Sequence, residues 1–88
     1  MLDVKETKQF KKSIKKYANK KDVIIELRYV LSLLIEEKTI PEKYKDHKLK
    51  GTLIGTRELH IKPDVLLLYV KDDKSIALID IGSHANVF

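Results

Sequence analysis

Apolar residues recur along this chain with two different periods, and the change between them divides it near residue 50. Leu2 and Val4 alternate with Asp3 and Lys5, which predicts a short, half-buried strand. From Thr7 to Asn19, Phe10, Ile14 and Tyr17 recur at i, i+4 and i+7 among lysines. That is one stripe of a helix, and Thr7 is a suitable N-cap for it. Asn19-Lys20-Lys21 has no apolar residue to sustain the helix and reads as a connection. Asp22 is then placed to cap a second helix reaching about Glu37, in which Val23, Ile24, Leu27, Val30, Leu31, Leu34 and Ile35 share one broad arc. Ile25, Tyr29 and Leu33 form a thinner second stripe. The broad face is expected to lie on a sheet and the thin stripe to meet the first helix, with docking of another chain as the alternative.

Thr39 to Lys50 carries Pro41, four lysines and few apolar residues, so it reads as an ordered loop pinned by Ile40 and Tyr44. After Gly51 the period becomes two. Arg57, Leu59 and Ile61 alternate with Thr56, Glu58 and His60, as along a strand. Pro63-Asp64 suits the two central positions of a type I turn, and Lys62, preceding proline, is pushed out of the helical region. Asp64 to Val70 is almost continuously apolar, as a central strand requires. Asp72-Asp73-Lys74 turns the chain, Ser75 to Ile81 makes another strand, and Gly82 ends it. The order β-α-α-β-β-β predicts an α+β fold over residues 1–88. A small antiparallel sheet with an N-terminal strand would carry both helices on one face. Disorder is expected nowhere except in the last few residues.

With 88 residues the chain has room for one core and no second domain. It has no cysteine, which removes disulfides and thiolate metal sites and suits a reducing, cytoplasmic setting. No apolar run approaches the roughly 18 residues of a membrane span. The N-terminus lacks the basic, apolar, small-residue order of a signal peptide. The net charge of +5 is unevenly spread, with eight lysines between Lys5 and Lys21 against one acid, Glu6. Such a field attracts polyanions without reading sequence. The plain reading of that lysine run is a solvated helix face.

The chemistry lies in the other half. His47, His60 and His84 are all the histidines of the chain. Imidazole alone, with an ordinary pKa of about 6.5, exchanges protons freely near neutrality. The turn at Pro63 would bring Asp64 toward His60, where a carboxylate can orient the ring and raise its pKa. Taken singly, these residues have ordinary readings: a turn-stabilising pair, a loop histidine at 47, an exposed tail histidine at 84. Together on a basic protein they point to cleavage of a phosphodiester. Three histidines and a carboxylate can also hold a metal ion. The spacings match no short zinc motif, however, and a basic chain gathers a dication poorly, so no metal or small-molecule cofactor is expected.

Tyr44-Lys45-Asp46-His47-Lys48-Leu49-Lys50-Gly51, Arg57-Glu58-Leu59-His60-Ile61-Lys62-Pro63-Asp64, Leu66-Leu67-Leu68-Tyr69, and Gly82-Ser83-His84 with Phe88 resemble the YafQ branch of the RelE/ParE toxin superfamily. The likeness covers the C-terminal half; the N-terminal half agrees in length and element type. It implies a RelE-like fold and the toxin of a type II toxin–antitoxin system, a ribosome-dependent endoribonuclease that cuts messenger RNA in the ribosomal A site. It also implies catalytic roles for His47, His60, Asp64 and His84, RNA positioning by Phe88, and a cognate antitoxin as partner beside ribosome and mRNA. On chemical grounds the His60–Asp64 pair is expected to be the base and His84 the acid. His47 would hold the scissile phosphate with help from Arg57, and Lys50 would join them in binding RNA.

The chain departs from that branch at Asp80, where the resemblance calls for an arginine, and at Val65, where it calls for a bulky aromatic. Either Arg57 or a lysine of the 45–50 loop then supplies the missing positive charge, or cleavage is weak. Two alternatives therefore stand beside the nuclease: an RNA- or ribosome-binding translation blocker, and a ParE-like toxin directed at gyrase.

Overall fold

The computed structural model describes residues 1–49 and 55–88. Strand β1 (Asp3–Glu6) leads into α1 (Lys8–Ile14), which tightens into a 3₁₀ turn over Lys15–Tyr17; α2 spans Lys21–Ile35. After a 3₁₀ turn at Glu42–Tyr44 come β2 (His47–Lys48), β3 (Arg57–Lys62), β4 (Val65–Lys71) and β5 (Ser75–Gly82), and a final helical turn, α3 (His84–Val87). The strand order is β1-β5-β4-β3-β2. The last four strands are antiparallel neighbours, while β1 joins the edge of β5 in parallel.

Local chemistry explains the element ends. Thr7 caps α1 as expected, accepting from the Phe10 N–H at 3.1 Å, while its own hydroxyl lies 2.9 Å from the Leu78 and Ile79 carbonyls. One residue thus starts the helix and ties it to β5. Helix α2 begins one residue before the expected cap. Asp22 falls in the first turn, where its negative charge favours the positive end of the helix dipole.

The broad stripe of α2 is buried through Val23, Leu27, Val30 and Leu34, and it packs with Phe10 and Tyr17 against Leu59, Ile61, Leu67, Tyr69, Ile76, Leu78 and Ile81. Each such large side chain removed from water stabilises the fold by about 1.5–3 kcal/mol. The thin stripe does not meet the first helix as the pattern suggested. Ile25 is 65% exposed and Tyr29 48% exposed, because α1 lies beside β5 and leaves that flank of α2 to solvent. Tyr44 is buried and Ile40 packs on the core, so the start of the expected Thr39–Lys50 loop is pinned, but His47–Lys48 within it pair with β3 as a strand that the sequence pattern did not predict.

Side chains alternate across a strand. Leu59, Leu67 and Ile81 therefore face the helices, and Glu58, His60, Leu66, Leu68 and Gly82 face the opposite side of the sheet. That opposite face carries the histidines.

Candidate active site

Three strands' worth of local geometry bring the histidines together. His47 is the direct cross-strand partner of Glu58. His60 lies two residues further along β3, on the same face as Glu58. His84 arrives from the other direction, at the start of α3. That helix can lie flat on β5 because Gly82 has no side chain: a Cβ there would meet Val87 Cγ1 at 3.2 Å and Asn86 Cβ at 3.3 Å. The last residues, where disorder was expected, form this turn instead, closed by the Phe88 N–H donating to the His84 carbonyl at 3.1 Å.

The result is a row of four rings. His47 and His60 are near-parallel with centroids 6.5 Å apart, His60 and His84 are 5.9 Å apart, and His84 and Phe88 are 6.0 Å apart. His60 is the most enclosed ring: its side chain is 17% exposed, whereas that of His47 is 51% exposed and His84 and Phe88 stand in solvent.

Glu58 is the carboxylate of this row. Its Oε1 lies 3.7 Å from His47 Nε2 and 3.8 Å from His60 Nε2, and the residue is 5% exposed. The expected partner, Asp64, sits exposed in the β3–β4 turn, and among the described residues no hydrogen bond or ion pair joins it to His60. Its charge is felt instead by Tyr17, whose hydroxyl is pushed up chiefly by burial and then by Asp64 and Asp80. The sequence does carry a signal for Glu58. It precedes His60 by two positions on an alternating strand, so the two share a face.

His60 is held below its ordinary pKa of 6.5. Burial is the main cause; Glu58 opposes it, while Lys45, His84 and His47 add to it. His60 is thus a neutral imidazole at neutral pH, and its buried Nδ1 makes no hydrogen bond among the described residues. His47 has a defined tautomer. Its Nδ1 lies 2.6 Å from the Lys45 carbonyl, which can only accept, so Nδ1 carries the proton and Nε2 is left toward Glu58.

Arg57 lies elsewhere. Its cross-strand partner is the core residue Tyr69, so it faces the helix side, where its Nε donates to Asp46 Oδ1 at 3.1 Å. The expected help from Arg57 at the phosphate does not fit that placement. Lys50 lies outside the described residues. Asp80 occupies the same cross-strand row as Glu58, through Leu68, and its Oδ1 accepts from the Ile81 N–H at 2.8 Å.

One ligating atom each from Glu58, His60 and His84 lie within 4.8 Å of one another, so this trio can hold a metal ion. One carboxylate and two imidazoles suit zinc or copper.

A five-stranded sheet with two helices on one face and a histidine row on the other defines a small RelE-like fold with acid–base side chains gathered on one face. The family described as the bacterial toxin of type II toxin–antitoxin system, YafQ, matches residues 2–88. The chain belongs to that family. It is 33% identical over 87 residues to the mRNA interferase toxin YafQ of Escherichia coli K12, covering 98% of this chain and 95% of that one. The structure is similar to YafQ in the E. coli DinJ–YafQ complex, with a TM-score of 0.89 and 32% identity over 100% of this chain and 99% of the other. It is also similar to a metal-bound toxin from Helicobacter pylori, with a TM-score of 0.91 and 37% identity over the whole of both chains.

Proposed function

We propose that this toxin is a ribosome-dependent endoribonuclease that cuts messenger RNA by histidine acid–base chemistry. The observation that carries the reading is the contiguous row His47–His60–His84 around one buried carboxylate. In the proposed step His60, neutral and screened from solvent, takes the 2′-OH proton, and the 2′-oxygen attacks the adjacent phosphorus. His84, exposed at the start of α3, gives a proton to the departing 5′-oxygen. The products are a 2′,3′-cyclic phosphate and a 5′-hydroxyl end. Each of these roles contributes roughly 10²–10⁴-fold.

Glu58 takes the part first expected of Asp64, stabilising the imidazolium that forms on His60. Asp64 stays in the proposed set at the mouth of the turn, since catalytic contacts often tighten only when substrate binds. His47 holds the phosphate. Phe88, at the exposed end of the row, stacks on a base, an interaction worth about 1–3 kcal/mol. Lys50 and the lysines of α1 contact RNA phosphates, so ribosome binding weakens steeply with salt.

The toxin acts in the cytoplasm, where its ribosomes are. Among the described residues no helix is long and apolar enough to cross a membrane. A cognate antitoxin, expected to be acidic, covers the basic surface and keeps the toxin inactive. Cleavage itself needs no metal. An ion held by Glu58, His60 and His84 would occupy the lone pairs that proton transfer requires, so metal binding and cleavage compete.

Primer extension on message from cells expressing the toxin tests the reading. Codon-aligned breaks that vanish with His60→Ala support it. Asp80 favours a second reading, a translation blocker that binds without cutting, and arrested ribosomes on intact message would establish that one instead.

A further inference from the structure

Lys45 is one of two non-glycine residues with positive φ among the described residues, at φ 50° and ψ 43°. Backbone strain of this kind persists only where neighbours over-determine it, and it gathers at functional sites. Here the neighbours are plain. On one side the Lys45 N–H donates to the Glu42 carbonyl at 3.0 Å, and Tyr44 is buried with its hydroxyl 3.2 Å from Glu26 Oε1. On the other side Asp46 is held by Arg57 and by Tyr69. The left-handed turn does two things at once. It aims the Lys45 carbonyl at His47 Nδ1, and it leaves Lys45 lining a cleft of about 300 Å³ together with Glu26, Lys43, Tyr44, His60, Lys62 and Pro63.

Two other cations nearby are engaged elsewhere, and Lys62, which also lines the cleft, sits at the end of β3 beside the turn. Lys43 faces Glu26 at 3.8 Å and lies over the Tyr44 ring at 5.0 Å, and Arg57 is on the far side of the sheet. Lys45 makes no ion pair among the described residues, although its carbonyl meets His47 and it lines the same cleft as His60. Position 80, in the cross-strand row of Glu58, contributes an acid.

We infer that Lys45 is a catalytic residue whose ammonium contacts a non-bridging oxygen of the phosphodiester being cut, supplying the positive charge that Asp80 cannot. This rests on the ribonuclease reading. As the 2′-oxygen bonds to phosphorus and the bond to the 5′-oxygen breaks, negative charge grows on the non-bridging oxygens. Lys45 stays protonated throughout and neutralises that charge, while its carbonyl holds His47 against the same phosphate. No proton beyond those exchanged by His60 and His84 is moved. A fixed backbone matters because a preorganised charge stabilises a transition state without reorganising at the moment of reaction.

Single-turnover cleavage of ribosome-bound message by Lys45→Met, Lys45→Arg and Lys45→Gly tests the inference, with ribosome pelleting measured in parallel. Glycine keeps the left-handed turn and removes only the side chain. Met and Gly variants should both lose about 10²-fold in the rate at saturation, as removal of a transition-state donor does. Their ribosome binding should change far less. Arg should recover most of the rate, and Asp80→Arg added to Lys45→Met should recover about tenfold or more. Wild-type cutting with an unimpaired saturated rate in Lys45→Met, or a loss confined to ribosome binding, would overturn the inference and leave the ribonuclease reading standing. A wild-type protein that binds ribosomes and cuts nothing would overturn both.

Discussion

The Tyr69 hydroxyl donates a 2.6 Å hydrogen bond to Asp46 Oδ1, the same oxygen that accepts from Arg57 Nε at 3.1 Å. Burial and then the Asp46 charge push the Tyr69 hydroxyl far above its ordinary range, so it is always a donor. Asp46 is thereby drawn to the helix side of the sheet, while His47, its neighbour in sequence, lies beside His60 with the Lys45 carbonyl at its Nδ1. Tyr69→Phe should cost about 1.5–3 kcal/mol, the usual worth of a hydrogen bond to a charged group. Urea unfolding measures that loss. Cleavage should fall beyond what the stability change explains, because His47 loses its anchored support; unchanged cleavage in folded Tyr69→Phe would separate this network from the site.

His60 sets the pH dependence. Its folded pKa lies below 6.5, so the unfolded chain takes up that proton first as pH falls. Stability therefore drops as pH decreases through 6.5 toward the folded value and levels off below it. His60→Gln should remove that drop in a denaturation series. In cleavage, the acid limb of kcat/KM should have its midpoint below 6.5 if His60 is the base. Glu58 raises the His60 pKa, so Glu58→Gln should move the limb to lower pH and reduce the plateau by about tenfold or more, within the roughly 10²–10⁴-fold that a general base contributes. A limb that stays in place would remove Glu58 from contact with the base.

Metal ions give an independent probe of the same atoms. Zinc or copper should inhibit cleavage, and treating the toxin with EDTA followed by buffer exchange before it meets ribosomes should restore it, while the same treatment of toxin without added metal should leave its rate unchanged. By calorimetry on the free toxin, Glu58→Gln and His84→Ala should each weaken zinc binding about tenfold or more, as loss of a ligand or its close support does. Asp64→Asn should not. Equal affinities in all three would place the ion elsewhere.

Much of this was legible in the residues, for definable reasons. The Phe10-Ile14-Tyr17 stripe, the Thr7 cap and the apolar run of β4 are local signals, and the structure has all three. The three histidines stood out because each is chemically distinctive; cross-strand register brings His47 to His60, and α3 brings His84. What was missed is non-local. The pairing of β1 with β5 in parallel leaves no mark on either strand alone. Ile25 and Tyr29 have the spacing of an interior stripe, but the position of α1 decides whether anything covers them. Glu58 reads as a solvent residue in the alternation of β3, and only the arrival of β2 and α3 encloses its face. Asp64 was favoured because a turn brings chain neighbours close, yet the alternation of the strand gave Glu58 the better geometry. The left-handed turn at Lys45 has no sequence signature, since the residue is neither glycine nor asparagine.

The central claim is that His60 and His84 act on one phosphate as base and acid. Single-turnover cleavage of ribosome-bound message by wild type, His60→Ala, His84→Ala and the double variant tests it most directly, with the new ends analysed for a 2′,3′-cyclic phosphate. Each single change should cost about 10²–10⁴-fold, and the double little more than the worse single, as groups acting as a unit do. Near-normal cutting by His84→Ala, or losses that multiply fully in the double variant, would contradict it.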